Sequence, residues 1–553
     1  MSVARRRLGT AVWNGSECRA ARSCARLPTA FAPPARFYSN ETPAKPAQDT
    51  KTLADILADS IRASGPLSVS TFMRTCLLDP VQGYYATANT PPGTFDALTE
   101  TRDVLGARGD FITSPEVSQV FGELLAIFFV ARWQNTARDA PLRLVELGPG
   151  KGTLLADMLR TFARFAPFFR SIKDIHLVET SPGLMELQYN AIEKALEGTG
   201  KKLIPADQEV VGEDEIRVEW FPLWTACPSE ATAGQWSLLT NSSMPFLRTS
   251  LRYVSSLSLL LARSCRKAHW RPELLFSEAT MGSRKFWWTS NEGASLGCDL
   301  TSSSKPAAGG PPKFRYVTSP GPTPWSLLLA MRNKRFNSLQ PGQRVEISPE
   351  AWAAARRIGE LVSGRKAAEV APEVEEESAK TARLQREAER VQTPSQGGAG
   401  LIIDYGDEKA FGGSFRAFRS HKIVDPLEDP GKADLTANVD FWHLKSALFT
   451  TDARPLGLMY QAHFLQALGL GPRVEALEKA AANDERRADI SSAAKRLVDP
   501  TGMGAQYKVL GVSSEASPGG SAEAVAKAKE PADKVYPFEM DEGSGGASAE
   551  KQA

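Results

Sequence analysis

A parallel α/β sheet is the fold class this 553-residue chain predicts, and three observations predict it. Short apolar runs alternate along the chain with segments of helical apolar spacing, the pattern of strand–helix–strand units. The first strong run, Leu142 to Leu147, ends in Gly148-Pro149-Gly150-Lys151-Gly152-Thr153. The second, Ile175 to Val178, ends in an acid, Glu179.

The elements follow in order. Leu53 to Ala63 has helical spacing, and Gly65-Pro66-Leu67-Ser68 breaks it and caps what comes next. After the glycine loop, Leu154, Leu155, Met158 and Leu159 recur as a helix face, and Leu184 to Ile192 forms another helix after the second strand. Residues 343–363 give a further strand and helix. Leu401-Ile402-Ile403 is a later strand ending at Asp404-Tyr405-Gly406, and Met503 to Leu510 reads as a closing strand. Residues 366–398, centred on Glu373-Val374-Glu375-Glu376-Glu377, are highly charged with few large apolar side chains, and read as an inserted solvated helix or a disordered loop. Residues 513–553 are rich in Ser, Gly, Ala, Glu and Lys and read as a disordered tail.

With 42% hydrophobic and 24% charged residues, the chain has a globular balance, and 66 basic against 64 acidic residues leave a net charge of +2. Near-neutrality argues against nucleic acid as the main partner, and no apolar run is long enough for a membrane span. The first forty residues carry seven Arg, no Lys and one acid, Glu17, a composition that resembles a mitochondrial transit peptide. The expectation is a leader over 1–39, ending near Arg36-Phe37-Tyr38-Ser39, and a linker over 40–50. Cys18 and Cys24 fall in that leader, and the remaining cysteines show neither disulfide nor zinc spacing. The five histidines (His176, His269, His421, His443, His463) have no ligand spacing either, so no metal is expected.

Glycines between a strand and a helix let the backbone approach a ligand, and the helix start offers amides to polar groups. The spacing here is G-x-G-x-G. It is neither the dinucleotide G-x-G-x-x-G nor the phosphate loop, which needs four residues between its glycines. An acid closing the next strand, here Glu179, is placed to accept hydrogen bonds from the ribose of an adenosine cofactor. From spacing alone, a nicotinamide-dinucleotide enzyme stays open as an alternative.

Longer phrases recur in a fixed order: Gly65-Pro66-Leu67-Ser68, Leu78-Asp79-Pro80, Gly83-Tyr84-Tyr85, Gly109-Asp110-Phe111-Ile112-Thr113-Ser114-Pro115-Glu116 and Phe121-Gly122-Glu123. The glycine loop, His176-Leu177-Val178-Glu179-Thr180-Ser181-Pro182, Ser319-Pro320-Gly321-Pro322, Asp404-Tyr405-Gly406 and Asp434-Leu435-Thr436-Ala437-Asn438-Val439-Asp440-Phe441 follow. The order resembles the MidA-like family of mitochondrial complex I assembly methyltransferases, over roughly residues 50–220 and 310–510. The resemblance implies a Rossmann-like class I methyltransferase sheet over 136–512, preceded by a helical cap over 51–135. It implies an S-adenosylmethionine (SAM)-dependent protein arginine methyltransferase of the mitochondrial matrix, acting on a core subunit of complex I. Carried over by position, Gly148, Gly150 and Gly152 form the SAM loop, Glu146 stands at its entrance and Glu179 meets the ribose. Asp110, Glu116 and Asp404 are the candidates to orient the guanidinium and disperse its charge. Each is also the kind of residue that caps a turn or a helix.

One family phrase, N-E-F-F-D-A-L-P after the fourth strand, is missing; Thr240-Asn241-Ser242-Ser243-Met244-Pro245-Phe246-Leu247 stands in its place. Back-translated and read from the third codon position, Leu239 to Leu247 permit that phrase, with Met244-Pro245 forcing its alanine. The same offset over Arg284 to Thr289 permits Glu-Val before a forced Leu-Val-Asp. Residues 221–290 therefore read as an out-of-frame segment, which would leave the chain without a central strand and without the catalytic loop. Two alternatives to the arginine methyltransferase follow: a non-catalytic SAM-binding assembly factor and a dinucleotide-dependent oxidoreductase.

Overall fold

The structure is a computed structural model that describes residues 51–85, 112–136, 141–206, most of 208–227, 236–241, 345–367, 377–392, 395–515 and 535–538. Short pieces at 255–256, 295–298, 314–317 and 334–336 are also described. The expected leader, the linker and Asp110 lie outside these residues, as does most of 221–290.

Seven strands make the central sheet: β1 (Leu142–Leu147), β2 (Ile172–Val178), β3 (Glu215–Phe221), β4 (Trp236–Asn241), β5 (Gly398–Asp407), β6 (Arg454–Tyr460) and β7 (Tyr507–Ser514). Their order is 3-2-1-4-5-7-6, with Lys202–Ile204 added outside β3 and Val439–Asp440 against the end of β5. Strands β1 to β5 pair in parallel, while β7 runs antiparallel to both β5 and β6. A dinucleotide-binding sheet has the order 3-2-1-4-5-6. The reversed β7, inserted between β5 and β6, sets this sheet apart from it.

The expectation that the chain lacks a central strand is overturned. Trp236–Asn241 lies between β1 and β5, paired from Leu142↔Trp236 to Glu146↔Thr240 on one side and from Gly398↔Ser237 to Ile402↔Asn241 on the other. The backbone needs only donors and acceptors in register, and this short run supplies them. The strand expected near residue 343 is corrected as well. Glu346–Ile347 pairs antiparallel with Ser255–Ser256 and stands outside the central sheet.

Helices cover both sheet faces, and β1 and most of β2 and β5 are buried on both sides. On one face lie α4 (Gln119–Thr136), α5 (Thr153–Phe162), α7 (Pro182–Leu196) and α11 (Gln461–Ala467), packed on Leu142, Leu144, Leu177, Leu401 and Ile403. On the other lie α8 (Pro349–Ser363) and α10 (Phe441–Leu448), packed on Val145, Leu147, Val178 and Ile402. The expected 51–135 cap divides in two. Helices α1 (Leu53–Ser64) and α2 (Val69–Leu78) pack on a small antiparallel sheet of Arg416–Arg419, Lys422–Val424 and Asp434–Thr436. By contrast, α4 is apolar nearly all round and joins the main core. The closing segment begins as a short helix, α14 (Met503–Gln506), before β7.

The charged insert contains helix α9 (Glu377–Gln392), whose side chains are mostly exposed. The tail expected to be disordered from 513 carries the end of β7 and a docked segment at 535–538. Val535 is buried in the main core, and the Phe538 ring lies 5.5 Å from Phe464 and 5.9 Å from Phe128. Glycines make room for that ring: a Cβ on Gly511 would stand 2.7 Å from it, and one on Gly457 2.9 Å.

Candidate cofactor and methyl-transfer site

Strands β1 and β2 end side by side, with Leu147 opposite Val178. The chain then turns through Gly148, Gly150 and Gly152, whose φ values of 67°, 59° and 80° lie in the left-handed region that side chains resist. The Gly148 amide donates to the Val178 carbonyl at 3.0 Å, and the Gly152 amide to that of Pro149 at 2.9 Å, closing the turn onto the start of α5. Glu146, at the loop's entrance on β1, is 2% exposed.

Glu179 leaves β2 beside this loop and is half-buried. Its Oε1 accepts the Thr180 and Ser181 amides at 2.7 and 2.9 Å. Burial pushes its carboxyl above the usual range, against the opposing pull of those amides. The other oxygen, Oε2, accepts from Gln188 on α7 at 3.2 Å. The same Gln188 amide donates to the Gly150 carbonyl at 2.7 Å, and its Oε1 accepts the Trp220 indole N–H at 2.8 Å. The geometry fits an adenosine cofactor: a glycine turn at a helix start, and beside it a strand-end carboxylate already oriented by donors.

The Thr113–Glu116 phrase forms α3 (Ser114–Val117), which packs near the start of α5. Ser114 Oγ donates to Gln461 at 3.0 Å, and Gln461 donates to the Leu497 carbonyl, fixing α3 to the helices after β6. Glu116 lines a cavity of about 560 Å³ together with Thr153, Asp157, Arg486 and Asp489. Asp157 is 4% exposed and paired with Arg160; desolvation raises its carboxyl to about 6. Gly122 allows α4 to lie this close, since a Cβ there would sit 2.7 Å from the Asp157 Cβ.

Asp404 is buried near the end of β5, its Oδ1 accepting the Tyr405 amide at 2.7 Å. It shares the strand face of Ile402, opposite to that of Leu401, Ile403 and Tyr405. Two distant phrases meet here. Gly406 pairs with Val439, and a Cβ on Gly406 would stand 2.1 Å from the Val439 carbonyl. Arg416 donates to Asn438 at 2.9 Å and lies over the Tyr405 ring at 4.9 Å. Glu116 and Asp404 thus belong to opposite faces of the sheet and do not form one acid cluster. Among the described residues no group of His, Cys, Asp and Glu could hold a metal, and no helix is long and apolar enough to cross a membrane.

Sequence spacing did not single out Gln188. The available signal was a polar residue in the apolar stripe Leu184, Gln188, Ile192.

Comparison with known proteins decides the class. The chain matches a family of S-adenosyl-L-methionine-dependent methyltransferases over residues 124–242 and 279–459. It belongs to that family. A Drosophila melanogaster protein arginine methyltransferase NDUFAF7 homolog, named as mitochondrial, is 30% identical over 83% of this chain and 84% of its own. The Danio rerio protein arginine methyltransferase NDUFAF7, also named mitochondrial, is 29% identical over 84% and 87%; the human one is 27% identical over 81% and 80%. A Burkholderia thailandensis protein crystallised with S-adenosyl-homocysteine shares the fold, with a TM-score of 0.55, 19% identity and coverage of 86% of this chain and 94% of that one. S-adenosylmethionine is the cofactor of the family, and the reversed β7 departs from the common dinucleotide-binding strand order.

Proposed function

We propose that this chain methylates an arginine of a mitochondrial protein, a core subunit of complex I during its assembly, in the mitochondrial matrix. The observation that carries the reading is the juxtaposition of three left-handed glycines with Glu179, at the ends of β1 and β2, in a chain akin to named arginine methyltransferases. The relatives' names support the substrate class and the organelle, and the Arg-rich leader composition supports mitochondrial targeting.

Gly148, Gly150, Gly152 and Glu146 would hold the amino-acid and ribose side of the cofactor, and Glu179 the ribose. When bound, SAM supplies an electrophilic methyl group on a sulfonium. The site would hold a guanidinium nitrogen in line with that carbon; transfer would leave S-adenosyl-homocysteine, and the proton shed by the nitrogen would pass to a neighbouring carboxylate or to water. Alignment is the main requirement, and carboxylates orient the guanidinium and accept its N–H groups. Of the proposed acids, Glu116 has the better support, since it faces a cavity that also reaches Thr153 at the start of α5. Asp404, on the other sheet face, stays a candidate through its strand end alone, and Asp110 through its phrase alone. The test is incubation with SAM and isolated complex I subunits, read by mass spectrometry for methylarginine. Transfer that disappears in Gly150→Val supports the reading, and absence of transfer by the intact protein refutes it.

A second reading rests on one observation: the match to the family breaks over 243–278, where the acid-bearing N-E-F-F-D-A-L-P phrase is missing. A chain with that break is a SAM-binding assembly factor without transfer activity. We propose that the break is a reading-frame error within 221–290. Transcript sequencing tests it: a message encoding N-E-F-F-D-A-L-P in frame supports the error, and one encoding the residues shown here refutes it.

A further inference from the structure

We infer that Gln188 is the positioning residue of the cofactor site, acting through Glu179 and the glycine loop; this rests on the SAM reading above. Gln188 is fully buried on α7. Its amide orientation is decided by its partners, because an indole N–H can only donate and a carbonyl can only accept. Hence Oε1 faces Trp220, and the two amide hydrogens go to Gly150 and Glu179. One side chain thus ties the middle of the loop to the acid of the next strand and to the end of β3.

The arrangement also limits how Glu179 recognises ribose. A carboxylate offers about four acceptor positions. Two on Oε1 are taken by the Thr180 and Ser181 amides, and one on Oε2 by Gln188. Among the described residues, Gln188 therefore selects which Oε2 lone pair of Glu179 is left to face the ribose.

The test is calorimetric binding of S-adenosyl-homocysteine to the full chain and to its variants. Gln188→Met keeps the shape but removes the three hydrogen bonds, and should weaken S-adenosyl-homocysteine by about tenfold to a hundredfold. In a Glu179→Gln background the same change should cost markedly less, because its effect runs through that carboxylate. Gln188→Glu places a second carboxylate at Glu179, and should bind progressively more weakly as pH rises from 5 to 8, a profile that altered packing alone would not produce. Binding by Gln188→Met within twofold of wild type, or full additivity with Glu179→Gln, overturns the assignment. If Gln188→Met fails to fold, a Gln188→Glu profile parallel to wild type overturns it instead. Failure of the wild type to bind S-adenosyl-homocysteine refutes the SAM reading itself, and is thereby distinguished from failure of the Gln188 assignment.

Discussion

Replacing Gly152 by alanine tests the geometry of the loop quantitatively. Gly152 precedes α5 with φ +80°, and a Cβ there would stand 3.1 Å from the Cα of Gln188 and 3.5 Å from the Cβ of Ala191. Two costs therefore add. The left-handed backbone costs an L-residue about 1–2 kcal/mol, and the contact with the α7 backbone adds about 1–3 kcal/mol of overpacking. Gly198 supplies the control: its φ is +73°, but nothing lies within 4 Å of a Cβ placed on it. Gly198→Ala should therefore cost only the backbone part. Urea unfolding of both variants should show Gly152→Ala the less stable by about 1–3 kcal/mol. Gly152→Ala should also weaken S-adenosyl-homocysteine binding, because it displaces the helix that carries Gln188, whereas Gly198→Ala should leave binding unchanged. Equal stabilities for the two variants would refute the close packing of loop on α7.

Three further outcomes follow from the same contacts. Asp157 is buried with its pKa raised to about 6, so the folded state holds its proton where the unfolded state has lost it, and stability falls as pH rises from about 4 to 6. Asp157→Asn removes that cost, so it should be more stable than wild type at pH 8 by up to about 3 kcal/mol, with the gap closing near pH 4, as thermal melts across pH will read. Gly406→Ala should fold poorly and lose cofactor binding, since its Cβ would meet the Val439 carbonyl at 2.1 Å; a soluble, wild-type-like variant contradicts the pairing of those two phrases. Phe538→Ala empties the space left by Gly457 and Gly511, and should cost about 2–3 kcal/mol in urea unfolding, whereas a change below about 0.5 would mean the segment does not dock.

The glycine loop and its neighbouring acid were legible because their chemistry is local. Gly148, Gly150 and Gly152 need left-handed backbone whatever surrounds them, and Glu179 follows directly from its strand. What escaped was set by packing across the fold. Trp236–Asn241 carries little strand signal on its own, yet β1 and β5 pair with it from both sides. Val535 to Phe538 is a short apolar island in a polar tail, and only the space at Gly457 and Gly511 gives it a place to dock. Glu116 and Asp404 are separate candidates in the sequence, and only strand alternation shows that Asp404 lies on the other sheet face. Gln188 sits in an apolar stripe whose purpose becomes visible only when Gly150, Glu179 and Trp220 surround it.

The most direct test of the central claim is methyl transfer itself: the full chain, SAM and isolated complex I core subunits, read by tandem mass spectrometry at each arginine. The account predicts a methyl group on an arginine, dependent on the cofactor and abolished by Gly150→Val. Bound S-adenosyl-homocysteine with every arginine unmodified would contradict it, and would leave a cofactor-binding protein that transfers nothing.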